Sequence, residues 1–187
     1  NFSERGSISP QAVISTLGKI DDVAKVVKLK IKSPGNSLFI IGPRKDELGG
    51  SAYYSVLGEL GANVPNPDFA QASKEISAVT DIINNGLAES CHDISDGGLA
   101  VTVAEMCLGG DADGKVGAKI VISTIDEREG TGYRIRGTGK RKIKPLRTDK
   151  KLFSETGGFV LEISRKNINK AAKIAGSLGV PLIKLGF

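Results

Sequence analysis

Apolar and polar positions divide the chain into short strand-like stretches and longer helical ones. Residues 13–20 (VISTLGKI) are apolar with small residues and predict a strand. Residues 23–32 alternate in part, with Val27, Leu29 and Ile31 on one side and Lys28, Lys30 and Lys32 on the other. That pattern predicts a strand with one wet face. Ser33-Pro34-Gly35-Asn36 reads as a turn, and residues 37–42 (SLFIIG) as a short, fully apolar strand. Ser51 stands where it would cap a helix over 52–60, which Gly61 stops. A two-proline loop follows from Asn63 to Asp68. Helical spacing then runs through Ile76, Val79, Ile83 and Leu87, predicting a helix over 69–89 that Gly86 weakens or ends. A second helix is expected over 98–108, with Ala100, Val103, Ala104 and Cys107 on one stripe, Leu99 and Met106 flanking it, and Gly109-Gly110 ending it. Further strands are expected over 116–123, 158–163 and 180–185, and a helix over 167–178. Strands and helices intermix throughout. The expectation is an α+β fold, α/β/α layered, with a mixed β-sheet covered by helices. One domain would span 13–187, after a polar connector at 1–12 that is a linker or the remnant of a preceding domain. The first residues, Asn1 to Arg5, read like the inside of a longer polypeptide.

Composition narrows the class. With 40% of residues hydrophobic and 25% charged, the chain can build a core and is not a disordered tail. No apolar run approaches the roughly 18 residues that cross a bilayer, and there is no basic-then-apolar leader. The expected location is therefore cytoplasmic, with no membrane partner. Cys91 and Cys107 lack disulfide-scaffold or metal-ligand spacing, and Cys107 reads as a small buried hydrophobe.

The net charge of +5 is concentrated. Residues 128–151 carry ten Lys or Arg against only Glu129 and Asp149, so the rest of the chain sums to about −3. This basic, glycine-rich loop contains one aromatic residue, Tyr133, which is little for stacking on nucleic acid. Contact with an acidic partner domain and a solvated loop are the other readings. Nucleic acid is not the expected partner.

Three turns could carry chemistry. His92, Asp93, Ser95 and Asp96 crowd the approach to a helix, and Gly97 and Gly98 follow. Free amides at a helix start attract anions, glycines admit a ligand to the backbone, and two aspartates could hold Mg²⁺ on a phosphate. The alternative is that Asp93 and Ser95 cap the turn, Asp96 starts the helix and the glycines permit close packing. His92, the sole histidine, could act as a base or be a hydrogen-bonded structural residue. Gly49, Gly50 and Ser51 form a second turn that matches neither a P-loop nor a GxGxxG motif. Ser154 and Glu155 could line the edge of a cleft or simply turn the chain into the next strand.

Four stretches together carry a family likeness: ISTLGKIDDVAKVV (14–27); Pro34 to Gly42 with Glu47-Leu48-Gly49-Gly50-Ser51; SCHDISDGGLAVTVAEM (90–106); and LFSETGGFV (152–160). In this order they resemble the C-terminal domain of the aminoimidazole ribonucleotide synthetase superfamily. Within it they are most similar to the formylglycinamidine ribonucleotide synthetase branch. The basic loop departs from the family, where a shorter or less basic connection is the rule. The resemblance implies one domain of an ATP-dependent C–N ligase of purine biosynthesis. The whole enzyme would convert formylglycinamide ribonucleotide, ATP and glutamine-derived ammonia to formylglycinamidine ribonucleotide. It would use ATP and Mg²⁺, neither expected to bind this stretch tightly alone. Its partners would be the preceding domains of the same large subunit, a glutaminase subunit and a small assembly subunit. The family's principal catalytic histidine and Mg²⁺ ligands have no matching positions, so no catalytic or metal-binding residue carries over. His92, Asp93, Ser95, Asp96, Gly97 and Gly98 remain nucleotide- or phosphate-facing candidates, with Gly49, Gly50, Ser51, Ser154 and Glu155 as secondary cleft candidates. Selenophosphate synthetase, thiamine-monophosphate kinase and a hydrogenase-maturation protein share the domain type. A basic-loop module binding RNA or an acidic protein is the alternative from another class.

Overall fold

The computed structural model describes residues 2–3, 6–7, 13–109, 116–125 and 145–187. Strands β1 (Phe2–Ser3) and β2 (Gly6–Ser7) form a small antiparallel ribbon. The central sheet contains β3 (Ser37–Ile41), β4 (Ala88–Asp93), β5 (Phe159–Ile163) and β6 (Ile183–Gly186), in the order β4-β5-β3-β6. Every pairing in it is antiparallel.

Side chains alternate between the two faces of a strand, so apolar inner strands feed two cores. Phe39, Ile41, Leu161 and Ile163 face one way. There they meet Ala78, Val79 and Ile82 of helix α2 (Phe69–Asn84), after the short helix α1 (Ala52–Val56). Leu38, Ile40, Val160 and Leu185 face the other way, onto Leu99, Val103 and Met106 of α3 (Gly98–Leu108). Helix α4 (Thr148–Phe153) packs beside α3, and α5 (Ile168–Ser177) beside α2, where Ala171 and Ala175 let it approach closely. The outcome is the layered α+β arrangement that the intermixed pattern predicts.

Two helices, α1 and α2, start at a capping side chain. The Ser51 hydroxyl accepts from the Tyr54 amide, and Asp68 accepts from the Gln71 amide. Beyond β6 the sheet is continued irregularly. Lys119 and Phe187 exchange backbone hydrogen bonds, and the Val121 amide donates to the Leu185 carbonyl.

One buried carboxylate organises the chain where it joins the sheet. Glu162 of β5 is fully buried. It accepts from the amides of Lys32 (2.8 Å) and Ser33 (3.1 Å), the Asn36 side-chain amide (2.7 Å) and the Ser90 hydroxyl (2.9 Å). Four donors satisfy a charge that would otherwise be costly inside the protein.

Several local expectations are corrected. Residues 13–20 form no strand; they are exposed and irregular. Residues 23–32 hold a 3₁₀ turn (Val23–Lys25) and irregular backbone. The Asp22 side chain caps that turn through the Ala24 amide, which outweighs a partial alternation. Helix α2 ends at Asn84, because Gly86 takes a left-handed conformation that turns the chain into β4, which begins at Ala88. Residues 91–93 lie in that strand and not in a turn. On α3, Leu99, Thr102, Val103 and Met106 are buried while Ala104 is exposed, so the core stripe is rotated from the expected one. Residues 116–123 contribute a single bridge, Ile120 to Gly186. The basic stretch ends in helix α4, and its part from 128 to 144 lies outside the described residues.

Candidate functional site at one end of the sheet

The three turns marked out by the sequence meet. Strands β3 and β4 both run toward the end of the sheet where β5 begins, as the pairings Ile41–Phe159 and Asp93–Phe159 require. The segments 42–51, 94–98 and 154–158 therefore share one polar rim. Its packing is tight. A Cβ on Gly42 would stand 2.7 Å from the Gly158 Cα, and one on Gly98 would stand 2.8 Å from the Leu152 carbonyl and the Phe153 Cα. Gly98 also has a φ of +67°, so both space and backbone select glycine there.

Glu155 is the tie of this rim. Its Oε1 accepts from the Ala52 amide (2.9 Å), at the start of α1, and from the Gly97 amide (2.8 Å), just before α3. The positive ends of two helices thus hold an anion that the chain itself supplies. Ser154 is buried, and its hydroxyl bonds to that of Thr156. Ser51 is buried and caps α1 while donating to the Leu48 carbonyl.

Beneath the rim lies Arg44, only 2% exposed. Its guanidinium donates to the carbonyls of Ser154 (3.0 Å) and Gly157, on either side of Glu155. Burial lowers its pKa to about 10, against the raising influence of Glu75 and Glu47. Burial likewise raises that of Glu75. Arg44 gives a modest signal in the sequence, an arginine that follows Gly42-Pro43 after an apolar strand and precedes Asp46 and Glu47, and sequence reasoning missed it.

The other candidates spread outward from the rim. His92 has Nδ1 3.0 Å from Asp93 Oδ1 and Nε2 3.0 Å from Oε2 of Glu105 on α3, a partner the sequence reading did not include. Two carboxylates hold the ring in place, and its side chain is 15% exposed. Asp93, Ser95 and Asp96 are exposed, while Gly97 is buried. The Asp93 carbonyl accepts from Thr102 of α3, fixing the strand-to-helix turn. The Gly49 amide donates to Asn63 and the Gly50 amide to Leu60, so these glycines close a local loop. A stacked pair, Tyr53 on Phe153 at 4.4 Å, joins α1 to α4. Among the described residues, no group of three or more His, Cys, Asp or Glu is arranged to hold a metal ion. No helix among them is long and apolar enough to cross a membrane. The rim is thus a tightly packed wall that exposes Asp93 and Asp96, while Arg44 Nε and Glu47 Oε2 lie buried in it without a hydrogen-bond partner among the described residues.

Residues 33–186 match the family described as AIR synthase related protein, C-terminal domain. Across its whole length the chain is 35% identical to phosphoribosylformylglycinamidine synthase subunit PurL of Methanothrix thermoacetophila. It is 32% identical over its whole length to the same subunit of a Thermoanaerobacter species. In both cases it spans 22% of the relative's length. Among solved structures it is similar to T. maritima PurL complexed with FGAR, with a TM-score of 0.62 at 17% identity, covering 87% of this chain and 26% of that one. It is also similar to thiamine-monophosphate kinase from Stenotrophomonas maltophilia, with a TM-score of 0.51 at 15% identity, covering 87% and 50%. At these identities the structural likeness concerns the fold.

Proposed function

The chain belongs to the AIR synthase related protein C-terminal domain family, in its phosphoribosylformylglycinamidine synthase branch, and from that premise we propose that it is one domain of the synthetase subunit and is not catalytic alone. The observation that carries this is the coverage: the whole chain aligns, but to about a fifth of its relatives. The full enzyme would act in the cytoplasm. It would convert formylglycinamide ribonucleotide, ATP and glutamine-derived ammonia to formylglycinamidine ribonucleotide, ADP and phosphate, using Mg²⁺. Preceding domains, a glutaminase subunit and a small assembly subunit would complete it.

In this reading residues 13–187 form the domain, and its rim supplies one wall of a cleft closed by another domain. Asp93, Ser95 and Asp96 face that cleft. Gly97, Gly98, Gly49, Gly50, Ser51, Ser154 and Glu155 hold the wall in shape, and His92 braces it from β4. The occupied amides of Ala52 and Gly97 support a wall over a self-contained phosphate site. A phosphoryl group carrying several charges needs more cationic stabilisation than this acidic face offers.

Isothermal titration of Mg-ATP and Mg-ADP tests the reading, on this chain and on a longer protein that includes the preceding domain. The expected result is no binding here, binding to the longer protein, and weaker binding there after Asp93→Ala or Asp96→Ala with folding intact. Unaltered binding in those variants would make the turn architecture only. Tight binding by this chain alone would overturn the proposal.

A further inference from the structure

Residues 13–23 present a contradiction. Their composition is that of a strand. Val13 and Leu17 fall on one side of an extended chain, Ile14 and Ile20 on the other, so both faces are apolar. Strands covered on both faces have this composition. Yet the segment packs against nothing: Val13, Ile14, Leu17, Ile20 and Val23 are 66–101% exposed. Nor do residues 13–20 share a backbone hydrogen bond with any described residue. Single exposed apolar side chains are ordinary, but a consecutive set on an unpaired backbone is a sheet edge without its sheet.

The extent of the matches says what is missing. The domain family begins at residue 33, just where Lys32 and Ser33 dock on Glu162. The relatives, by contrast, align through all of this chain, the exposed segment included, and carry far more sequence outside it. The segment thus goes with the whole synthetase and not with the domain proper.

We propose that residues 13–20 are a β-strand of the preceding domain, added to a sheet in that part of the polypeptide, with Ile20 and Val23 sealing the junction. Strand addition satisfies the backbone donors and acceptors and buries both apolar faces at once. The boundary proposed at residue 13 then moves, and the structural domain begins near residue 27. This inference rests on the reading of the chain as part of a longer synthetase.

Amide hydrogen exchange tests it, comparing this chain with the longer protein that contains the preceding domain. The amides of residues 14–20 should exchange at nearly unprotected rates here and at least about 100-fold more slowly in the longer protein. Equally fast exchange in both would overturn the proposal. Leu17→Asp provides an independent measure. It should leave the melting of this chain within about 1 °C and lower that of the longer protein by several degrees. No effect on the longer protein would count against the strand. Amidine-forming activity is measured separately, on the full synthetase subunit assembled with its glutaminase and small subunits, in which the exchange of residues 14–20 is also followed. An active enzyme with an unprotected segment sinks this inference alone, while a protected segment in an inactive protein sinks only the proposed reaction.

Discussion

Glu155 provides the sharpest test of how the rim is built. Replacing it with alanine removes the shared acceptor of two amides. The Gly97 amide belongs to a buried residue, so losing its partner should cost about 1–3 kcal/mol. The Ala52 amide sits on an exposed residue and can turn to water, for about 0.5–1 kcal/mol. Glu155→Ala should therefore destabilise the chain by about 1.5–4 kcal/mol, roughly a 3–16 °C fall in Tm for a protein of this size. Glu155→Gln keeps an oxygen in the same place and loses mainly the charge, so it should cost under about 1 kcal/mol. Equilibrium urea denaturation of the three proteins, with exchange followed at the Gly97 amide, gives the comparison. If alanine and glutamine behave alike, or alanine stays within about 0.5 kcal/mol of the parent, the carboxylate is not the tie.

Gly98→Ala should cost about 2–4 kcal/mol, since it adds a backbone clash to an unfavourable φ. Gly86→Ala, at nearly the same φ but in open space, should cost only about 1 kcal/mol, and equal costs would refute the packing account. Burial raises the pKa of Glu75, with Asp68 adding to it, while Gln71, Arg44 and Lys45 oppose it. Its contribution to stability is thus full below pH 4.5 and lost as pH rises through the raised folded value. Denaturation across that window should show the parent losing stability relative to Glu75→Gln, and a pH-independent difference would contradict the assignment. Burial, with help from Asp93, pushes the Cys91 thiol up to about 12. At pH 8 its labelling by a disulfide reagent should be at least about 100-fold slower than in the denatured chain, and comparable rates would refute its burial.

Much of the fold was legible because local signals agreed with tertiary ones. Residues 37–41 and 159–163 are apolar runs bounded by turn residues, and they became the two inner strands. Helix α3 spans the expected residues, since Gly97 and Gly109 bracket it. The stripe on α3 was misjudged because alanine suits either a core or a surface. Only packing against Val160 and Leu185 selects Leu99, Val103 and Met106. The strand content of Cys91–Asp93 was hidden by their polarity, which reflects a strand end opening on the rim. The rim residues were recognisable by their glycines and acidic side chains, but not their mutual ties. Glu155 reaches Gly97 across 58 positions and Ala52 across 103, and no local pattern encodes such distances. Helix α4 was missed because its TDKKLF sequence is short and continues a basic run without apolar periodicity.

The buried Glu162 has a mechanical consequence. A segment engaged by another domain would transmit tension along the backbone toward this one. That load would arrive at Lys32 and Ser33, whose amides are clamped on the Glu162 carboxylate. Glu162 in turn belongs to β5, which is hydrogen-bonded to β4 on one side and β3 on the other. Pull applied outside the domain is therefore delivered to the middle of the sheet and shared among three strands. The rim turns branch off those strands and lie outside the direct line of force, so such a load would leave the wall in shape.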